Sequence, residues 1–172
     1  PSRPSRAALA ALEVYDLLTR ILVAVVLAPL FFIVLFFLDS IWLAALMAFI
    51  CAMASFELLR ATKVAHHNGM YFFTAISAAA IPVGCWLGLG ALMVPMAAVF
   101  LMLTLFGIAI RLYDDERAVR VEDVFMCIFG GLVIPMCLSA LVQLKCMENG
   151  QYLVLLPVIC AFLTDAGAYF AG

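Results

Sequence analysis

Asp165 is the residue whose position most demands a chemical explanation. It stands in Phe162-Leu163-Thr164-Asp165-Ala166-Gly167-Ala168-Tyr169-Phe170-Ala171-Gly172, inside an apolar stretch that begins at Tyr152 and holds no other charge. Near the centre of a membrane helix a carboxylate costs about 2.5 to 3.5 kcal/mol to insert, less toward an interface. Such a residue normally faces a polar cavity, a cation or a partner helix. On a helix, Asp165 shares one face with Ala168, Tyr169 and Gly172 through spacings of three, four and seven. Gly167 with Ala171, and Ala168 with Gly172, place small residues four apart, which lets another helix or a ligand approach the backbone. An acid bonded to a neighbouring span is the structural alternative to a chemical role.

Other polar candidates are weaker. His66-His67, beside Asn68 and Gly69, are adjacent on a loop and do not share a face, so paired metal ligation is not expected. Glu57, in Phe56-Glu57-Leu58-Leu59-Arg60, reads as an interfacial acid with Arg60 or Arg111 as its partner. Five of the six cysteines (Cys51, Cys85, Cys127, Cys137 and Cys160) fall in apolar stretches, with Cys146 in a loop and no CxxC pair, so they read as small buried hydrophobes.

These residues need helices in a membrane to position them. The chain has 172 residues, of which 69% are hydrophobic and 12% charged, with a mean hydropathy of +1.24. Soluble domains carry about 45 to 50% apolar and about 25% charged residues. A formal net charge of −2 offers no basic excess for nucleic-acid phosphates, so no nucleic acid is expected among the partners. The charges are clustered, and the apolar runs between clusters match the roughly 20 residues that cross a 30 Å hydrocarbon core. The pattern predicts an all-α, polytopic membrane protein with about six transmembrane helices, over 17–38, 41–59, 70–88, 91–110, 124–144 and 152–172. A cytoplasmic tail, 1–16, precedes this membrane domain, 17–172. Helices are favoured over strands because a spanning segment must satisfy its own backbone groups in lipid. Pro29, Pro82, Pro95, Pro135 and Pro157 lie inside the spans, where neighbouring helices can re-satisfy the carbonyls they free.

Orientation follows from the basic residues. With a cytoplasmic N-terminus, one side holds Arg3, Arg6, Arg20, Arg60, Lys63, Arg111, Arg117 and Arg120, and the other only Lys145. The positive-inside rule therefore sets the N-terminus in the cytoplasm. Asp165 then lies in the cytoplasmic half of the last span, roughly 20 Å along the helix from Gly150 at 1.5 Å per residue.

The run Asp165-Ala166-Gly167-Ala168-Tyr169-Phe170-Ala171-Gly172 resembles the first cytoplasmic-side motif of the phosphatidate cytidylyltransferase family, the CDP-diglyceride synthases. Thr19-Arg20-Ile21 is similar to that family's N-terminal start, and Phe56-Glu57-Leu58-Leu59 to the aromatic-Glu-Leu element that closes its second helix. The chain departs from the pattern after the acid, where the family most often has Thr or Ser and this sequence has Ala166; here the hydroxyl precedes the acid, as Thr164. The family's Ser-Pro-Lys-Lys-Thr-like segment and C-terminal signature are not in these residues, so the resemblance is to an N-terminal portion, expected to be inactive alone.

The resemblance implies transfer of the cytidylyl group of CTP to phosphatidic acid, giving CDP-diacylglycerol and pyrophosphate in phospholipid biosynthesis. It implies Mg²⁺ or a similar divalent cation, with Asp165 as a catalytic residue and metal ligand, and Thr164 and Tyr169 as substrate-binding residues. The expected partners are CTP, phosphatidic acid and the bilayer, with a homodimer left open, and the expected location is the bacterial inner (cytoplasmic) membrane. A related CTP-dependent kinase of polyprenols or other lipid alcohols is one alternative. A non-enzymatic multi-span transporter or assembly protein, in which Asp165 is structural or ion-coupling, is the other.

Overall fold

A computed structural model describes residues 29–62, 68–113 and 119–171. Among the described residues the chain is helical with no strand. It divides into two units, Pro1–Asp39 and Ser40–Gly172. In the first unit, residues 29–37 form helix α1, along which the rings of Phe32 and Phe36 stack at 6.5 Å. The remainder of the expected first span lies outside the described residues.

The second unit contains α2 (Ser40–Thr62), α3 (Asn68–Trp86), α4 (Gly90–Arg111), α5 (Val121–Ile128), a π turn (Phe129–Val133), α6 (Ile134–Lys145) and α7 (Gly150–Ala171). With α5, the π turn and α6 counted as one rod, five segments are long and apolar enough to cross a membrane. The chain reverses between α3 and α4 at Leu87–Leu89, where Gly88 has φ 74°, a conformation glycine adopts without strain.

Helix α3 is the centre of this unit and packs against α2, α4, α6 and the π turn. Leu59, Met70, Leu101, Leu105 and Cys127 form one core, and Ile81, Cys85 and Ala97 a second. The polar pattern is inverted relative to a soluble bundle. Ser55, Thr74, Ser77, Ser139 and Asp123 are buried, while Phe49, Leu103 and Phe106 are 65%, 70% and 60% exposed. Apolar side chains turned outward and hydroxyls turned inward suit a bilayer as solvent.

Pro135 explains the most irregular element. It has no N–H, so the carbonyl four residues back, Gly131, loses an α-type donor, and the carbonyl five back, Gly130, loses a π-type donor. The chain adopts a π turn there, with Ile134 N–H donating to the Phe129 carbonyl. Neighbouring helices supply what the proline removes. Ser55 Oγ of α2 donates to the Gly130 carbonyl at 2.6 Å, and Ser77 Oγ of α3 donates to the Gly131 carbonyl at 3.2 Å. Both glycines are buried, and a Cβ at Gly131 would lie 2.9 Å from Leu101 Cδ2 and 3.1 Å from Thr74 Cγ2. Glycine is what lets α3 come this close.

The π turn also sets which side of the rod faces inward. Asp123, Cys127, Gly131, Pro135 and Ser139 are all buried and recur every fourth residue. Each such step overshoots a 3.6-residue turn by about 40°, so four steps on a uniform α-helix would drift by about 160°. One inserted residue takes back about 100° of that drift. Asp123 and Ser139 thereby stay on the bundle side.

Candidate functional site

Helix α7 begins at a tight reversal. Asn149 has φ 57°, Gly150 N–H donates to the Met147 carbonyl at 3.0 Å, and a Cβ at Gly150 would run into the carbonyls of Leu144 and Lys145. Only glycine fits, and the reversal lays the start of α7 against α6, with Gly150 and Val154 buried. Beyond that first part the helix leaves the bundle. Every residue from Ile159 to Ala168 is exposed, and among the described residues nothing outside its own helix lies within 4 Å of where a Gly167 Cβ would be.

Asp165 sits on this outlying part of α7, about 20 Å along the helix from Gly150. Among the described residues its carboxylate has no hydrogen bond or ion pair. The neighbouring-span partner that a structural role requires is therefore not found among them. Thr164 Oγ donates to the Cys160 carbonyl at 2.8 Å, so its proton is committed to its own helix and its lone pairs face outward. Thr164 in this rotamer accepts hydrogen bonds and does not donate them to a ligand. Ala168 follows Asp165 on the same face. Tyr169 is in the helix, but its side chain lies outside the described residues, as do His66, His67 and the Thr19-Arg20-Ile21 element.

The other sequence candidates resolve differently. Glu57 is exposed on α2, and neither Arg60 nor Arg111 is its ion-pair partner among the described residues. All six cysteines are free thiols; Cys51, Cys85 and Cys127 are buried, whereas Cys137, Cys146 and Cys160 are exposed. The expectation of buried small hydrophobes thus holds for three of the six. No group of three or more His, Cys, Asp or Glu side chains that could hold a metal occurs among the described residues.

Asp123 was not singled out by its sequence context, yet it is a buried carboxylate, 8% exposed, at the first turn of α5. Its Oδ2 accepts from Arg120 N–H at 3.0 Å, satisfying a helix N-terminal donor. The adjacent Arg120–Glu122 pair, at 3.6 Å and well exposed, adds little stability. The signal that could have found Asp123 is the four-residue recurrence of Asp123, Cys127, Gly131, Pro135 and Ser139. All five are small or polar residues in a largely apolar run.

An exposed carboxylate within an apolar spanning helix, without a partner among the described residues, is suited to meeting a cation, but that geometry alone names no reaction. The comparison that decides the family is with family models: that of the cytidylyltransferase family matches residues 18–172. The chain belongs to the cytidylyltransferase family. This family includes CDP-diacylglycerol synthase, and membership places the chain among CTP-utilising lipid cytidylyltransferases. For a cytidylyltransferase of this kind CTP is the nucleotide substrate, and the apolar helices make the chain an integral membrane protein in a lipid bilayer. No curated protein and no solved structure gives a significant match.

Proposed function

We propose that the lipid substrate of this cytidylyltransferase is phosphatidic acid, and that Asp165 belongs to the polar site where its phosphate meets CTP. In this reaction a phosphate oxygen of the lipid attacks the α-phosphorus of CTP. The bond from that phosphorus to the bridging oxygen breaks, and pyrophosphate leaves. One substrate is anchored and the other soluble, so the site must touch both bilayer and cytosol. A cytoplasmic N-terminus, read from the distribution of Lys and Arg, puts Asp165 in the cytoplasmic half of α7, within reach of both.

A bare carboxylate repels the phosphates of both substrates, so Asp165 acts through a cation. A hard carboxylate oxygen suits Mg²⁺, which protein sites commonly hold through one or two carboxylates together with substrate phosphates. Asp165 would supply one such ligand, and a divalent ion held there would neutralise charge on the triphosphate. The alternative role for Asp165 is to orient a Lys or Arg side chain toward the phosphates. Thr164 binds substrate as an acceptor, or as a donor after giving up its bond to the Cys160 carbonyl. The phenol of Tyr169, one turn beyond Asp165, is the other proposed substrate contact.

The observation that carries this reading is the family match, which spans the acid-bearing helix, together with a carboxylate on that helix that has no partner among the described residues. The test is product identity. Full-length protein in liposomes with CTP, phosphatidic acid and Mg²⁺ should give CDP-diacylglycerol and pyrophosphate. Formation of CDP and a phosphorylated lipid alcohol instead, when an alcohol is offered, would replace this reading with a lipid kinase.

A further inference from the structure

The end of the second unit that holds the α3–α4 and α6–α7 turns contains a cavity of about 220 Å³ lined by Cys85, Gly88, Gly90, Ala91, Gln143 and Cys146. Two thiols from helices far apart in sequence border it. Cys85 is the last residue but one of α3 and is 5% exposed, whereas Cys146 caps the C-terminus of α6 and is exposed. Gln143 joins them. Its Nε2 donates to Cys85 Sγ at 3.2 Å, and Cys146 follows it by three residues on the same side of the helix end. A Cβ at Gly90 would lie 3.1 Å from Cys85 Sγ and 3.3 Å from Gln143 Nε2, so the glycine leaves the buried thiol open to the cavity.

We propose that Cys85 and Cys146 are a reversible dithiol–disulfide pair that ties the α3–α4 turn to the end of α6. The other four cysteines do not line this cavity. Cys146 is the entry thiol because it is exposed and sits just past the last helical turn, where the backbone adjusts at small cost. Its thiolate attacks a sulfur of an external small-molecule disulfide and releases one thiol. The Cys85 thiolate then attacks Sγ of Cys146 in the mixed disulfide and releases the second thiol. Two protons and two electrons pass from the protein pair to the external disulfide, which leaves as two thiols. On the orientation proposed above this end faces away from the cytoplasm, where such oxidants persist. The bond fixes the end of α6 from which α7, and with it Asp165, departs.

The full chain in detergent, treated with oxidised glutathione or with a reductant, then denatured and labelled with a maleimide mass tag, tests this directly. Oxidation should remove two of the six reactive thiols without adding glutathione mass, and digestion should yield one linked pair of peptides containing Cys85 and Cys146. Cys137→Ala should keep that two-thiol loss. Cys146→Ala, at an exposed position that tolerates substitution, and Cys85→Ala should abolish it, giving at most a single glutathione adduct. Retention of all six reactive thiols, linked peptides containing other cysteines, or linkage between two chains on a non-reducing gel would each overturn the proposal.

Discussion

Ser55→Ala is the substitution that best probes how the bundle tolerates Pro135. Ser55 Oγ donates to the Gly130 carbonyl at 2.6 Å in a buried, apolar setting. The same hydroxyl lies 2.8 Å from the Cys51 carbonyl, but that carbonyl also has its ordinary helical donor four residues on. Gly130 has no such second donor, because the residue five positions on is Pro135. Side-chain hydrogen bonds between membrane helices average about 0.6 kcal/mol and reach about 1.7, whereas leaving a buried carbonyl unsatisfied costs about 1 to 3 kcal/mol. The short distance and the missing donor place Ser55→Ala near 1.5 kcal/mol on these scales. Pro135→Ala restores an N–H that can reach Gly130 or Gly131, so in that background Ser55→Ala should cost about 1 kcal/mol less. Reversible unfolding in mixed micelles with SDS, run as a double-mutant cycle, measures this coupling. The packing lost with the buried proline ring cancels between the arms. Additive costs to within about 0.5 kcal/mol, or a Ser55→Ala variant as stable as the parent, would refute the assignment of Ser55 to the orphaned carbonyl.

Two further outcomes follow from the same geometry. Gly131→Ala should destabilise by about 1 to 3 kcal/mol in the same unfolding assay, because its Cβ meets Leu101 and Thr74 at 2.9 and 3.1 Å. With the N-terminus in the cytoplasm, a cysteine introduced at Glu148 in a background lacking Cys146 should react with an impermeant maleimide added outside intact cells, and one at Tyr113 should react only after permeabilisation. The reverse pattern contradicts the orientation.

The helical class of the chain was legible because charge is so scarce. Where 12% of residues are charged, each cluster marks a boundary, and the runs between clusters have membrane length. Asp165 was visible for the same reason, as a charge away from any boundary. The proline rule was legible as well: Pro135 was expected to free a carbonyl that neighbours would satisfy. Which neighbours do so was not legible, since Ser55 and Ser77 stand 75 and 54 residues away in sequence from the glycines they reach. The π turn was missed because one inserted residue leaves no mark on hydropathy. It shows only in the four-residue recurrence from Asp123 to Ser139, which no uniform α-helix could keep on one side. Glu57 was assigned basic partners on proximity in sequence and at the membrane surface, and exposed side chains there are not held together by either. The surroundings of Asp165 could not be read from sequence, because the part of α7 that carries it packs against none of the described helices.

The central claim is that Asp165 works at the site of cytidylyl transfer. The most direct measurement is the rate of CDP-diacylglycerol formation by full-length Asp165→Asn beside the parent, in liposomes with CTP, phosphatidic acid and Mg²⁺. Both should show equal helical content and equal insertion. A fall of at least about tenfold, the equivalent of 1.4 kcal/mol in transition-state stabilisation, is the expected result. An unchanged rate in a properly inserted variant would remove Asp165 from the mechanism.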